Sequence, residues 1–196
     1  MARLPAAERK QQLLNKAAVL FARKGYTRTT TAQIARAAGI TEPILYRHFR
    51  SKRALFIALI ERTGDEVIRG WEKQLAGADS ASQRIRILLG ANPLTSNEGQ
   101  GIYRVVVQGL TEIDDREIRK AIKEHMIRLH AFIVEQLKQA KKEKSLVAKA
   151  DVELIAWMLM HLALGYGLLA PVGLIGHRSK VSGERIVRLL DRLLVR

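Results

Sequence analysis

The sequence predicts an all-α protein of about nine helices, with a three-helix amino-terminal domain ahead of a larger helical one. Three observations carry this. Apolar residues recur three and four apart in segment after segment, as one face of a 3.6-residue helix requires. No stretch sustains the period-two alternation of a half-buried strand. Helix-start Thr and Ser and helix-stop Gly also stand where that periodicity begins and ends.

The first helix is expected over Ala6–Lys24, with Leu13, Leu14, Ala17, Ala18 and Phe21 on one face and Gly25 just past its end. Thr30 caps a short second helix, Gln33 completes a Thr-x-x-Gln capping box, and Ile34, Ala35 and Ala38 face inward. After Gly39, Thr41 opens a brief third helix with Pro43 in its first turn, and Leu45 and Phe49 point to the core. Ser51 caps a fourth helix from Lys52 to about Leu75, and Ala76–Ser80 is a polar link. Further helices are expected at about Ala81–Leu89, Gly101–Glu112, Asp115–Ala140, Asp151–Gly167 and Ser182–Val195. Ile118, Ile122, Met126, Leu129, Ile133 and Leu137 form the inner stripe of the long seventh helix. Residues 1–53 are expected to form the first domain and residues 54–196 the second, joined through the fourth helix.

Composition narrows the class. The 196 residues are 47% hydrophobic and 27% charged, which suits a globular chain. Cys is absent, so neither disulfides nor thiolate chemistry are available, and a cytoplasmic setting fits. The formal charge is +15, and its placement matters more than its size. Twelve Lys and Arg against Glu8 and Glu42 give residues 1–53 a charge of +10, leaving +5 for all the rest. A basic end of that kind points to a polyanion, either nucleic acid or an anionic membrane. The start of the chain has no apolar run of the signal-peptide type. Leu154–Gly176 holds no Asp, Glu, Lys or Arg, but Gly165, Gly167, Pro171, Gly173 and Gly176 interrupt it, which favours a buried interface over a membrane span.

Two short helices joined by Ala38-Gly39-Ile40-Thr41 have helix-turn-helix spacing. The first of such a pair braces against the DNA backbone. The second fits a major groove about 12 Å wide with its first residues at base edges. The stretch Phe21-Ala22-Arg23-Lys24-Gly25-Tyr26, then Thr30-Thr31, Ile34-Ala35, Ala38–Thr41, Leu45–Lys52 and Leu55-Phe56, resembles the DNA-binding domain of the TetR family of repressors over about Glu8–Leu59. That resemblance implies a cytoplasmic homodimer on double-stranded DNA, released or altered by a small-molecule effector, with no cofactor. It implies that Thr30 and Thr31 meet phosphates, and that Thr41, Glu42, Pro43 and Ile44 face base edges. Tyr46 and His48 match the family's phosphate-contacting pair and Lys52 its backbone anchor, while Arg47 reads guanine or binds phosphate. Glu42 and Ile44 depart from the common pattern. Glu42 either accepts from a cytosine amino group or complements the helix dipole, and Ile44 either packs on a thymine methyl or braces the fold.

The second half carries the remaining expectations. The resemblance implies that the last two helices pair with their copies, with Trp157, Leu164, Ile186, Leu189, Leu190, Leu193 and Leu194 at the interface. Trp71, Tyr103, Val107, Leu110, Phe132 and Trp157 are candidate lining for an effector pocket, with Gln108, His130 or His161 as polar groups. Each is also compatible with plain core packing. The apolar bias favours a hydrophobic or amphipathic effector, such as a fatty acyl compound or a drug-like aromatic.

An enzyme is not expected. There is no Gly-x-Ser-x-Gly and no His-x-x-x-His, and Gly165-Tyr166-Gly167 lacks a preceding strand and a third glycine. His125 and His130 read as ordinary helix-surface and helix-core residues rather than metal ligands. Two rival classes are a non-specific architectural DNA protein, relying on charge alone, and a membrane-associated helical protein, relying on the charge-free segment.

Overall fold

The computed structural model describes residues 5–90, 97–147, 149, 151–169, 172 and 180–194. Among the described residues there are nine α-helices: α1 (Ala6–Lys24), α2 (Thr31–Ala37), α3 (Glu42–His48), α4 (Lys52–Leu75), α5 (Ala81–Gly90), α6 (Asn97–Gly109), α7 (Arg116–Lys142), α8 (Val152–Leu169) and α9 (Lys180–Leu194). A 3-10 turn, Leu110–Glu112, follows α6.

The expected elements are present, and the differences have local causes. The sixth helix begins earlier, at Asn97, and its last turn tightens into the 3-10 segment. The eighth runs on through Gly165 and Gly167 to Leu169, because a glycine weakens a helix by only about 1 kcal/mol and does not forbid it. Pro171, Gly173 and Gly176, and Val195 at the expected end of the last helix, lie outside the described residues. No described helix is long and apolar enough to cross a membrane.

The chain divides into two compact units, Met1–Thr63 with Gly101–His125, and Gly64–Gln100 with Met126–Arg196. The divisions fall inside α4, α6 and α7.

In the first unit α1, α2 and α3 pack on one another. Leu13, Ala17, Phe21, Ile34, Leu45, Leu55, Phe56 and Ile60 have no exposed surface. Phe21 meets Phe56 edge-on, with centroids 5.0 Å apart, and Tyr26 closes the group 4.6 Å from Phe56. Buried Thr29 donates its hydroxyl to Gly25 O at 2.7 Å, which holds the turn after α1. Gly109 lets α6 close on α7, since a Cβ there would stand 2.7 Å from Ile122 Cδ1.

In the second unit α5 packs on α9, and Arg86 makes two bonds, 2.8 and 2.9 Å, to the Asp191 carboxylate. Val147 N–H donates to Leu194 O at 3.1 Å. The seventh helix stops in a Schellman motif: Ser145 N–H reaches Ala140 O at 3.0 Å and Lys144 N–H reaches Lys141 O at 3.1 Å. That places Lys144 at φ 57°, a left-handed conformation that strains any residue with a Cβ.

Candidate nucleic-acid interface

The second helix starts at a complete capping box. Gln33 N–H donates to Thr30 Oγ1 at 3.2 Å, and Thr30 N–H donates to Gln33 Oε1 at 3.4 Å. It ends in a Schellman motif, with Ile40 N–H on Ala35 O and Gly39 N–H on Arg36 O. Gly39 takes φ +67°, where a residue with a Cβ would be strained. This turn aims α3. Thr41 occupies its N-cap position but makes no side-chain cap bond, and Pro43 sits in the first turn.

Leu45 and Phe49 of the α3 segment are buried, so the opposite face points outward. Thr41, Pro43, Tyr46 and Arg47 are exposed on it, and Glu42, Ile44 and His48 are half-buried beside them. Thr30 is exposed and Thr31 half-buried at the start of α2. Thr31 Oγ1 lies 2.5 Å from Glu42 Oε1 and 3.2 Å from Tyr46 OH, so the starts of α2 and α3 are tied together. Nine of the ten residues expected on DNA thus lie on these two short helices and their caps.

Lys52, the tenth, is engaged inward. Its ammonium donates to Tyr26 O at 3.0 Å and Thr27 O at 3.4 Å, and lies 4.3 Å from the Tyr26 ring centroid. Two of its three protons therefore hold the loop after α1, leaving one for a phosphate.

A contact that local spacing could not reveal joins this head to the start of α7 within the same unit. Arg53 at the first turn of α4 reaches Asp115 and Glu117, each at 3.1 Å, and Arg50 stands 3.9 Å from Glu117. Thr27 donates to Glu112 at 3.0 Å. Asp115 is also the cap of α7, accepting from the N–H groups of Glu117 and Ile118. Burial pushes the Asp115 carboxyl upward, but the Ile118 N–H, the Arg53 guanidinium and the Glu117 N–H outweigh it and hold it below its ordinary value.

A depressed carboxyl contributes stability that is full above its unfolded value and is lost as pH falls through its folded one. Asp115→Asn should therefore lower the melting temperature at neutral pH, and the gap from wild type should close as pH drops below about 4. Thermal melts from neutral to acid pH test this. A gap constant with pH would contradict it.

The residues expected to line an effector pocket are divided between the two units. In the first unit buried Tyr103 bonds His125 Nε2 at 2.9 Å, and burial pushes its phenol upward. His125, read from the sequence as a helix-surface residue, is instead buried, and it is the polar partner there. Val107 is half-buried, Gln108 Oε1 is buried with no hydrogen-bond partner among the described residues, and Leu110 is exposed. In the second unit Trp71 stacks on Phe132 with centroids 5.7 Å apart. Trp157 lies 4.2 Å from His130 and 6.0 Å from His161, ring centroid to ring centroid. His130 Nε2 is 3.3 Å from Glu153 O.

The expected interface residues also divide. Trp157, Ile186, Leu189 and Leu193 are exposed, and Leu164 is half-buried. Leu190 and Leu194 are buried in the chain's own core, so a face offered to a partner excludes them. Leu154, Met158, Leu162, Leu168 and Leu169 extend the exposed apolar surface of α8.

A three-helix basic head with a tight α2–α3 turn and an outward-facing α3 has the geometry of a helix-turn-helix domain of the DNA-binding class. The defining pattern of the tetR family of bacterial regulatory proteins matches residues 13–59, and the amino-terminal domain of this chain belongs to that family of DNA-binding regulators.

The HTH-type transcriptional activator FasR of Mycolicibacterium smegmatis is 35% identical over 107 residues, 54% of this chain and 48% of FasR, so the match spans about half of that relative. The nucleoid occlusion factor SlmA of Haemophilus influenzae (strain PittGG) is 26% identical over 81% of this chain and 73% of its own. Among solved structures, a transcriptional regulator from Saccharomonospora viridis in complex with choline superposes with a TM-score of 0.86 at 20% identity, covering 97% of this chain and 99% of that one. That likeness establishes the fold.

Proposed function

We propose that the chain is a cytoplasmic, ligand-responsive repressor that binds a near-palindromic operator as a homodimer. The observation that carries this reading is α3, which buries Leu45 while turning Thr41, Pro43, Tyr46 and Arg47 outward from a basic head. On it, Thr41, Pro43, Ile44 and Arg47 face base edges. Thr30, Thr31, Tyr46, His48 and the free proton of Lys52 meet phosphates. Residues 1–53 form the DNA-binding part and residues 54–196 the effector-binding and dimerisation part. A two-fold dimer sets two α3 helices about 34 Å apart, one helical turn of DNA. Trp157, Ile186, Leu189 and Leu193 are exposed and apolar, which suits them to that interface.

The effector is hydrophobic or amphipathic, and within the second unit Trp71 stacked on Phe132 is its candidate contact. It acts by binding more tightly to the conformation that has lost DNA, since only differential affinity shifts an equilibrium. Native mass spectrometry of the purified protein tests for a retained small molecule. FasR is named an activator, so a promoter-reporter strain lacking the gene decides the direction of regulation: expression should rise without the protein.

Selection from a randomised duplex library tests the interface directly. The wild type should enrich two related half-sites. Arg47→Ala should change the preferred base at a position in each, whereas Tyr46→Ala should weaken selected and shuffled duplexes alike, by about 3–10-fold. Equal loss on both duplexes for both variants would remove the division between reading and anchoring.

A further inference from the structure

Thr31, Glu42 and Tyr46 form a directed chain. A threonine hydroxyl has one proton and an ionised carboxylate only accepts. The 2.5 Å contact is therefore Thr31 donating to Glu42, and the 3.2 Å contact is Tyr46 donating to Thr31. The chain links the first residue of α2 to the first residue and the last-but-two residue of α3. It joins the two segments whose relative angle decides how α3 enters a groove. The Tyr46 proton is directed to Thr31 and the Thr31 proton to the half-buried carboxylate, and the bond to the carboxylate is charge-assisted and so the stronger of the two.

We propose that Glu42 is a positioning residue. Its carboxylate ends a Tyr46–Thr31–Glu42 relay that fixes α2 against α3, and its charge lowers the affinity for every duplex without choosing a base. The proposal rests on α3 being the DNA-contacting helix. A phosphate that approaches Thr31 or Tyr46 must take a proton already committed to the relay, and it does so within a few ångströms of a like charge. Loosely fitting DNA gains too little to overcome both, whereas a duplex that also satisfies the base-reading residues does. An acid on a basic DNA-facing surface then lowers occupancy of non-specific DNA through a penalty shared by every duplex, while the relay's positioning of α3 serves discrimination. Reading of a cytosine amino group through the second carboxylate oxygen is the competing outcome.

The test uses the full chain with Glu42→Gln, which keeps an acceptor for Thr31 but removes the charge, Glu42→Ala, which removes both, and Thr31→Val, which keeps the shape but loses the hydroxyl. In the free protein, the urea midpoint of the Thr31→Val/Glu42→Ala double variant should fall by less than the sum of the two single losses, because both break one chain. Additive losses would overturn the relay.

On DNA, Glu42→Gln should enrich the same sequence as wild type and bind a shuffled duplex about 3–10-fold more tightly. Glu42→Ala should narrow the gap between selected and shuffled duplexes. A changed base preference in Glu42→Gln, or no gain on shuffled DNA, would overturn the proposal. If wild type itself enriches no sequence, the DNA reading has failed, and the denaturation cycle still decides the relay.

Discussion

Phe56→Ala is expected to unfold the amino-terminal head and abolish DNA binding, although Phe56 is fully buried and cannot itself meet DNA. Its side chain forms the floor under Phe21 and Tyr26. Truncating a buried Phe to Ala costs about 3–5 kcal/mol, against a total of about 5–15 kcal/mol for a typical domain. The loss propagates because Tyr26 is also where Lys52 is seated, through its ring and its carbonyl.

Urea unfolding followed by circular dichroism should show a midpoint far below wild type. Lys52→Met keeps the stem and loses the bonds to Tyr26 O and Thr27 O. It should lower stability by about 1.5–3 kcal/mol, the range for hydrogen bonds to a charged group. A Lys52→Met protein as stable as wild type, with only DNA binding reduced, would assign this lysine to phosphate alone. An unchanged midpoint for Phe56→Ala would contradict the aromatic group as the head's keystone.

The second large effect lies on α9. Leu189 and Leu193 are 57% and 59% exposed, so replacing both with Asp leaves the chain's own core intact. If they meet their copies across a two-fold axis, four carboxylates are forced into an apolar contact with no partners, a strongly unfavourable burial. The double variant should run as a monomer in light scattering. Its affinity for two half-sites should also fall by about 10²–10⁴-fold, because the second head no longer binds at high effective concentration. Leu190→Asp is the contrasting control: Leu190 is 8% exposed, so this change should melt the second unit rather than merely separate subunits. An unchanged molar mass for Leu189→Asp/Leu193→Asp would place the interface elsewhere.

Elements with strong local rules were legible from the sequence. The Thr30–Gln33 capping box, the Gly39 turn and the spacing of Leu45 and Phe49 encode α2 and α3 within a few residues of chain, and the structure follows them closely. What escaped depends on contacts distant in sequence. Asp115 and Glu117 reach Arg53 across more than sixty residues, and no periodicity relates them. The same holds for Lys52 and the loop it seats, twenty-five and twenty-six residues earlier. On α9 the apolar face is wide enough that spacing could not separate Leu190 and Leu194, which turn inward, from Leu189 and Leu193, which do not. Glu42 looked like a base reader or a dipole partner because its hydrogen-bond donor, Thr31, lies on the preceding helix.

The most direct test of sequence-specific recognition through α3 is an anisotropy titration of the full chain against its selected duplex and a shuffled duplex of the same length and composition. At about 150 mM salt, a physiological ionic strength, the selected duplex should bind about 10³-fold or more tightly. Equal affinities that fall together as salt is raised would mean that charge alone holds the DNA, and would contradict recognition by α3.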